Sequence, residues 1–125
     1  MGVNSTAIDS RTFDDLIVPG SRTLTWDETI ATSQDLVRGT ILGKITASGH
    51  LKACDQDAGD GSETAYAILA EDVDTTGGAV VRPVYVRGDF NKNACTLLNE
   101  SNTDIDLAAA ELRDVGIFLL DSVPN

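Results

Sequence analysis

Between Val80 and Phe90 the chain reads VVRPVYVRGDF, its densest run of β-branched and aromatic residues. Such residues crowd a helix but pack well on a pleated sheet, so this run commits the chain to a β architecture. Pro83 has no N–H to give to a ladder, which predicts that the strand lies at a sheet edge or is interrupted there. The rest of the chain must supply partners for this strand.

Several segments can do so. Arg22–Ala31 is rich in Thr and apolar residues, with Leu24, Trp26 and Glu28 on one face and Thr23, Thr25 and Asp27 on the other. In Leu36–Ala53, Gly39 and Gly43 flank Thr40-Ile41, and Ser48-Gly49 gives a hairpin signal between Ile45 and Leu51. Glycine is entropically costly in a strand, so Gly39 and Gly43 are expected to mark positive φ, a bulge or a close backbone approach. Asp55–Glu63 reads as a polar loop, Ala65–Val73 as one mostly buried strand and Asp74–Gly78 as a turn. One helix is predicted near the C-terminus. Asn102 or Thr103 can cap it, and Asp104 and Asp106 suit its N-terminal dipole. Ile105, Ala108, Ala109 and Leu112 form its apolar face, Gly116 suits the residue after its end, and Ile117–Leu120 follows as a final strand.

At 125 residues and 13.2 kDa the chain suits one domain able to bury a core without disulfides or metal. The expectation is a mostly β domain over residues 23–125, with one short C-terminal helix, preceded by an extended N-terminal arm over residues 1–22. Residues 1–15 show neither a strand nor a helix period. Arg11-Thr12-Phe13 and Leu16-Ile17-Val18 are β-capable pieces within the arm, able to add a strand to another protein's sheet; a bland tail is the equal alternative from the residues alone.

Charge excludes one class of partner. Nine Lys+Arg against 20 Asp+Glu give −11, which repels phosphate backbones, so no nucleic acid is expected as a partner. No apolar run is long enough to cross a bilayer and no secretory signal is visible, so neither a membrane partner nor an exported location is expected. Cys54 and Cys95 lack metal or redox spacing; free thiols in a reducing cytoplasm are favoured over one long-loop disulfide.

Chemistry is hard to assemble from these residues. His50 is the only histidine, no serine sits in a nucleophile elbow, and His50 and Cys54 in a β-segment have no meaningful spacing. Starting at Asp55, the acidic loop places Gly59, Asp60 and Tyr66 at positions 5, 6 and 12 of a calcium loop, where a ligand, a glycine and a glutamate are required. No glycine pattern cradles a nucleotide. No enzyme activity, cofactor or metal is therefore expected. Trp26, the sole tryptophan, reads as a core or subunit-interface anchor.

The segments GTILGKITASGHL, TAYAILAEDVDTTGG, PVYVRGDFN and LRDVGIFL, in this order around the acidic loop, resemble the head decoration proteins of lambda-type tailed phages. The similarity runs from about Val18 to Leu120 and rests on Arg38–Gly43, Ala67–Asp74 and Val84–Asn91 together; Ala67 stands where many relatives have Gly. The resemblance implies a β-clip-like domain that forms a homotrimer on the outer surface of the expanded phage head and stabilises it against internal DNA pressure. It further implies that the arm, with Arg11, Thr12, Phe13, Leu16, Ile17 and Val18, pairs with the major capsid protein. Trp26, Phe90, Ile117 and Phe118 are the apolar candidates for the trimer interface. A tail, fibre or host-surface adhesin on a similar β scaffold is the competing reading, and a Cys54-dependent enzyme a distant third.

Overall fold

A computed structural model describes residues 16–98 and 105–121. The strands are β1 (Leu24–Ile30), β2 (Asp35–Leu36), β3 (Ile41–Lys44), β4 (Leu51–Ala53), β5 (Ala65–Leu69), β6 (Val73–Asp74), β7 (Val80–Asn91) and β8 (Ile117–Leu120), with a helix, α1 (Ile105–Arg113), before the last. The main sheet runs β1-β4-β3-β5-β7-β8, and β7 also pairs with β1, which closes a small β-barrel-like domain. β2 and β6 form a separate two-stranded ladder.

Two cores share the strands that separate them. Successive side chains of a strand point to opposite faces, so a strand buried on both faces feeds two clusters. Ile41, Ile68 and Tyr85 are aligned across β3, β5 and β7 and enter one cluster, which Ala108 and Leu112 of α1 cover. Their neighbours Leu42, Leu69 and Val84 enter the other, with Ile30, Leu51, Ala67 and Val73. Every one of these side chains is almost fully buried. The helix follows its predicted face: Ala108 and Leu112 point inward, and Gly116 ends it at φ +97°. The expected caps Asn102, Thr103 and Asp104 lie outside the described residues.

β7 is not an edge strand. Its first half pairs with β1 on one side, and Tyr85 and Val84 pair with β5 on the other. Pro83 fits because its carbonyl accepts from the Ala70 N–H at 3.2 Å. Its donorless nitrogen lies on that same side, just past the end of β5, where no ladder bond is owed. The expected strand Ala65–Val73 also divides. Glu71 and Asp72 are exposed, and the Asp72 carboxylate accepts from the Arg38 backbone N–H at 2.8 Å, so the chain turns out at that point and resumes as β6. The predicted β3–β4 hairpin forms, with a longer connection in which the Gly49 N–H donates to the Ile45 carbonyl.

Leu16–Val18 belong to the domain. The Asn91 N–H donates to the Leu16 carbonyl and the Val18 N–H to the Asp89 carbonyl, while Leu16 is 1% exposed in the helix-side core. Arg11, Thr12 and Phe13 lie outside the described residues.

Two polar or backbone devices hold the barrel ends. Gly43 sits at an irregularity in the β3–β5 register, and a Cβ there would collide with the backbone of Ser62. Thr75, wholly buried, donates through Oγ1 to the Ala31 carbonyl at 2.5 Å and accepts from the Gln34 N–H at 2.8 Å, locking the turn after β1 to the turn after β6. Thr75→Val keeps the shape and strands both backbone groups, so chemical denaturation should show a loss of about 2–3 kcal/mol. Gly43→Ala forces the Ser62 backbone to move, and about 1–3 kcal/mol should be lost in the same measurement.

Candidate functional site

The residues that carry reactive groups are turned inward. Cys54 is fully buried, its thiol donating to the Glu63 carbonyl, and burial together with nearby Glu111, Asp55 and Glu63 pushes its pKa up to about 12. Burial alone pushes the Cys95 thiol up to about 12. Both cysteines are free, and near neutral pH neither supplies a thiolate. His50 sits by the hairpin turn, its backbone N–H donating to Ser48 Oγ.

The acidic loop ties itself down. Asp55 accepts from the Asp57 N–H at 3.0 Å and Glu63 from the Gly61 N–H at 2.9 Å. Asp60 accepts from both the hydroxyl and the N–H of Ser62, and these bonds hold its carboxyl below the ordinary range. Among the described residues no group of three His, Cys, Asp or Glu side chains comes together to hold a metal ion.

What the domain does present is apolar surface. Trp26 is 53% exposed, Leu24 45% and Val115 43%. With Tyr66, Val86 and Arg87 they line an open groove of about 210 Å³. A second groove, of about 320 Å³, continues from it, sharing Tyr66 and Val115 and adding Lys44 and Glu111. Local backbone geometry creates the first groove. The register shifts from Leu24↔Arg87 to Thr25↔Tyr85, so Val86 is an extra residue and β7 bends there.

The aromatic pair in the groove is fixed before any partner arrives. Glu28 accepts from Trp26 Nε1 at 3.0 Å and from the Tyr66 hydroxyl at 3.1 Å, and the Lys44 ammonium lies 4.9 Å from the Tyr66 ring centre. Burial and the Glu28 carboxylate raise the Tyr66 pKa, so its hydroxyl stays a donor. Side chains held in one rotamer lose less entropy on association.

The four apolar residues singled out from sequence divide by location. Trp26 lines the groove, and Phe118 is 43% exposed on β8. Phe90 and Ile117 are 0% exposed in the helix-side core, leaving no side-chain surface for a second subunit. Sequence reading did not single out Tyr66, Val86 or Val115. Leu24 could have been found with them, since it shares the Trp26 face two residues away.

The thiols offer a direct check. With both pKa values near 12, a thiol reagent at pH 8 should label Cys54 and Cys95 slowly in the folded protein and at once in denaturant. A folded pKa raised from 9.0 means a protonated thiol that stabilises fully below about pH 9. That contribution is lost as the pH rises through 9 towards 12, and melting scans across the range should show it.

No curated protein matches the chain. The family model of the bacteriophage lambda head decoration protein D matches residues 15–117, from the edge of the first core residue, Leu16, to the first residue of β8. A domain whose thiols are buried, whose acids bind their own loop and whose exposed apolar groups gather at the surface is built to adhere, and the matched span covers most of it: the chain belongs to the phage head decoration protein family.

Proposed function

We propose that the protein assembles as a homotrimer on the outside of the expanded phage head and clamps neighbouring capsomers against internal DNA pressure. Membership of the family makes it a structural component of the capsid exterior, and the capsid its partner. The observation that carries the finer reading is the preorganised apolar groove around Trp26 in a domain whose two cores are already complete.

Apolar residues that a closed domain leaves exposed in one cluster mark a contact with another chain. The groove suits a ring interface, in which one surface of each copy meets a different surface of the next. Lys44 and Arg87 stand at its rim in a chain of net charge −11, so the largely acidic surface of a neighbouring copy complements it. Trp26 is the anchor of the seam, with Leu24 and Val115 around it.

The arm supplies attachment to the shell. Leu16–Val18 fasten it to β7, so the strand donor is the chain before Leu16, with Arg11-Thr12-Phe13 its β-capable piece. Three arms on one trimer bind in concert, so weak pairings sum to firm attachment. Three copies also triple the negative charge, which keeps the assembly soluble and away from DNA.

Sedimentation and native mass measurement should find a trimer, and Trp26→Ala should weaken it by about 2 kcal/mol, roughly thirtyfold in each contact. Deleting residues 1–15 spares Leu16 and should leave folding intact. It should lower cosedimentation with expanded capsids by at least an order of magnitude. Full binding without the arm would remove it from the mechanism. Specific binding to a host glycan or receptor, with none to capsids, would replace this reading with the adhesin one.

A further inference from the structure

We propose that the outer edge of β8 is a second docking site, which accepts an extended strand from the same capsid subunit that holds the arm. The proposal rests on the reading of residues 1–15 as the capsid-binding arm. Its starting point is the backbone of a strand paired on one side only. β8 ends the sheet order and runs parallel to β7 in the register Gly88↔Ile117 to Asn91↔Leu120. The Gly88 N–H donates to the Gly116 carbonyl. In a parallel ladder alternate residues bond to the neighbour, so Phe118 and Leu120 also direct their backbone groups at β7. Ile117 and Leu119 direct theirs outward, and among the described residues no partner meets them.

This edge lacks the devices that normally protect one. Natural edges carry lysine, proline or a bulge that discourages pairing. Ile117-Phe118-Leu119-Leu120 has none of these, and Phe118 is 43% and Leu120 38% exposed. Behind them, Ile117 is buried and Leu119 packs on the helix-side core, so the edge is held rigid. Lys92 ties it down further, with Nζ 2.9 Å from Asp106 and 3.1 Å from Asp121, the residue following β8.

Location selects the occupant. Residues 88–91 of β7 carry β8 on one side and Leu16–Val18 on the other, because the Asp89 and Asn91 backbone groups bond to Leu16–Val18 while Gly88 bonds towards β8. The free edge therefore lies two strand spacings, about 10 Å, from the point where the arm leaves the domain. A shell subunit that captures the arm is held beside this edge at high effective concentration. A β-prone segment of that subunit, apolar at alternate positions, would cover Phe118 and Leu120 and satisfy Ile117 and Leu119.

Hydrogen exchange and two edge variants test the proposal on the full-length chain. The Leu119 amide should exchange fast in the free protein and become protected by tenfold or more on empty expanded shells stripped of decoration protein. Phe118→Lys and Leu120→Lys should keep the fold and the trimer by circular dichroism and sedimentation, yet bind those shells at least tenfold more weakly. Protection of Leu119 without shells that vanishes when residues 1–15 are deleted would make the chain's own arm the occupant and overturn the proposal. Protection that follows protein concentration, or loss of the trimer in both lysine variants, would make a second copy the occupant and also overturn it. An unprotected Leu119 on shells, or undiminished binding of the lysine variants, would do the same. If arm deletion leaves shell binding intact while the lysine variants lose it, the arm reading fails and the edge stands.

Discussion

Everything else in the domain hangs on β7. Its 12 residues are the only ones long enough to serve both ends of the molecule. The first half closes the barrel against β1 and supports β5; the second seats β8 on one side and Leu16–Val18 on the other. The change of partners requires a bend, and the extra residue Val86 supplies it, followed by Gly88 at φ +141°. A Cβ on Gly88 would press on Thr23 and on the Phe90 ring, which is 0% exposed in the core. The same bend puts Val86 and Arg87 in the groove with Trp26. Barrel closure and the candidate contact surface thus have one physical origin.

Much of this was legible in the residues, where one local rule decides the outcome. The β-prone run at Val80–Phe90, the helix face of Ala108 and Leu112 and the special roles of Gly39 and Gly43 follow from sterics and period. Gly39 adopts φ +96°, and Gly43 faces the Ser62 backbone. Pairing was not legible, because it depends on residues far apart in sequence. Pro83 argued for an edge on local grounds, and only the place where β5 ends shows why a central strand tolerates it. Ala65–Val73 looked continuous because its apolar content hides where Glu71 and Asp72 must leave the core.

The candidate surfaces show the same division. Trp26 was found as an anchor because a lone tryptophan carries large apolar area wherever it lies. Phe90, Ile117 and Phe118 are equally apolar, and period alone cannot say which side of a strand the core occupies. In β8 the core takes Ile117 and leaves Phe118 outside; in β7 it takes Phe90. Tyr66 escaped notice because its role comes from Glu28, a contact across strands that also holds Trp26.

A decoration protein must stay soluble alone yet adhere firmly to a shell, and the two demands conflict wherever apolar surface is exposed. Here they are separated by scale. Over the whole chain, a net charge of −11 disfavours indiscriminate association. At close range, the groove around Trp26 and the edge of β8 offer apolar side chains already fixed by Glu28, Lys92 and the core behind them. Repulsion of this kind is screened within about 10 Å at ordinary salt, whereas a fitted apolar contact acts only at the last few ångströms. A partner of matching shape therefore gains the contact after paying little for the approach, and a surface without that shape gains nothing to offset the charge.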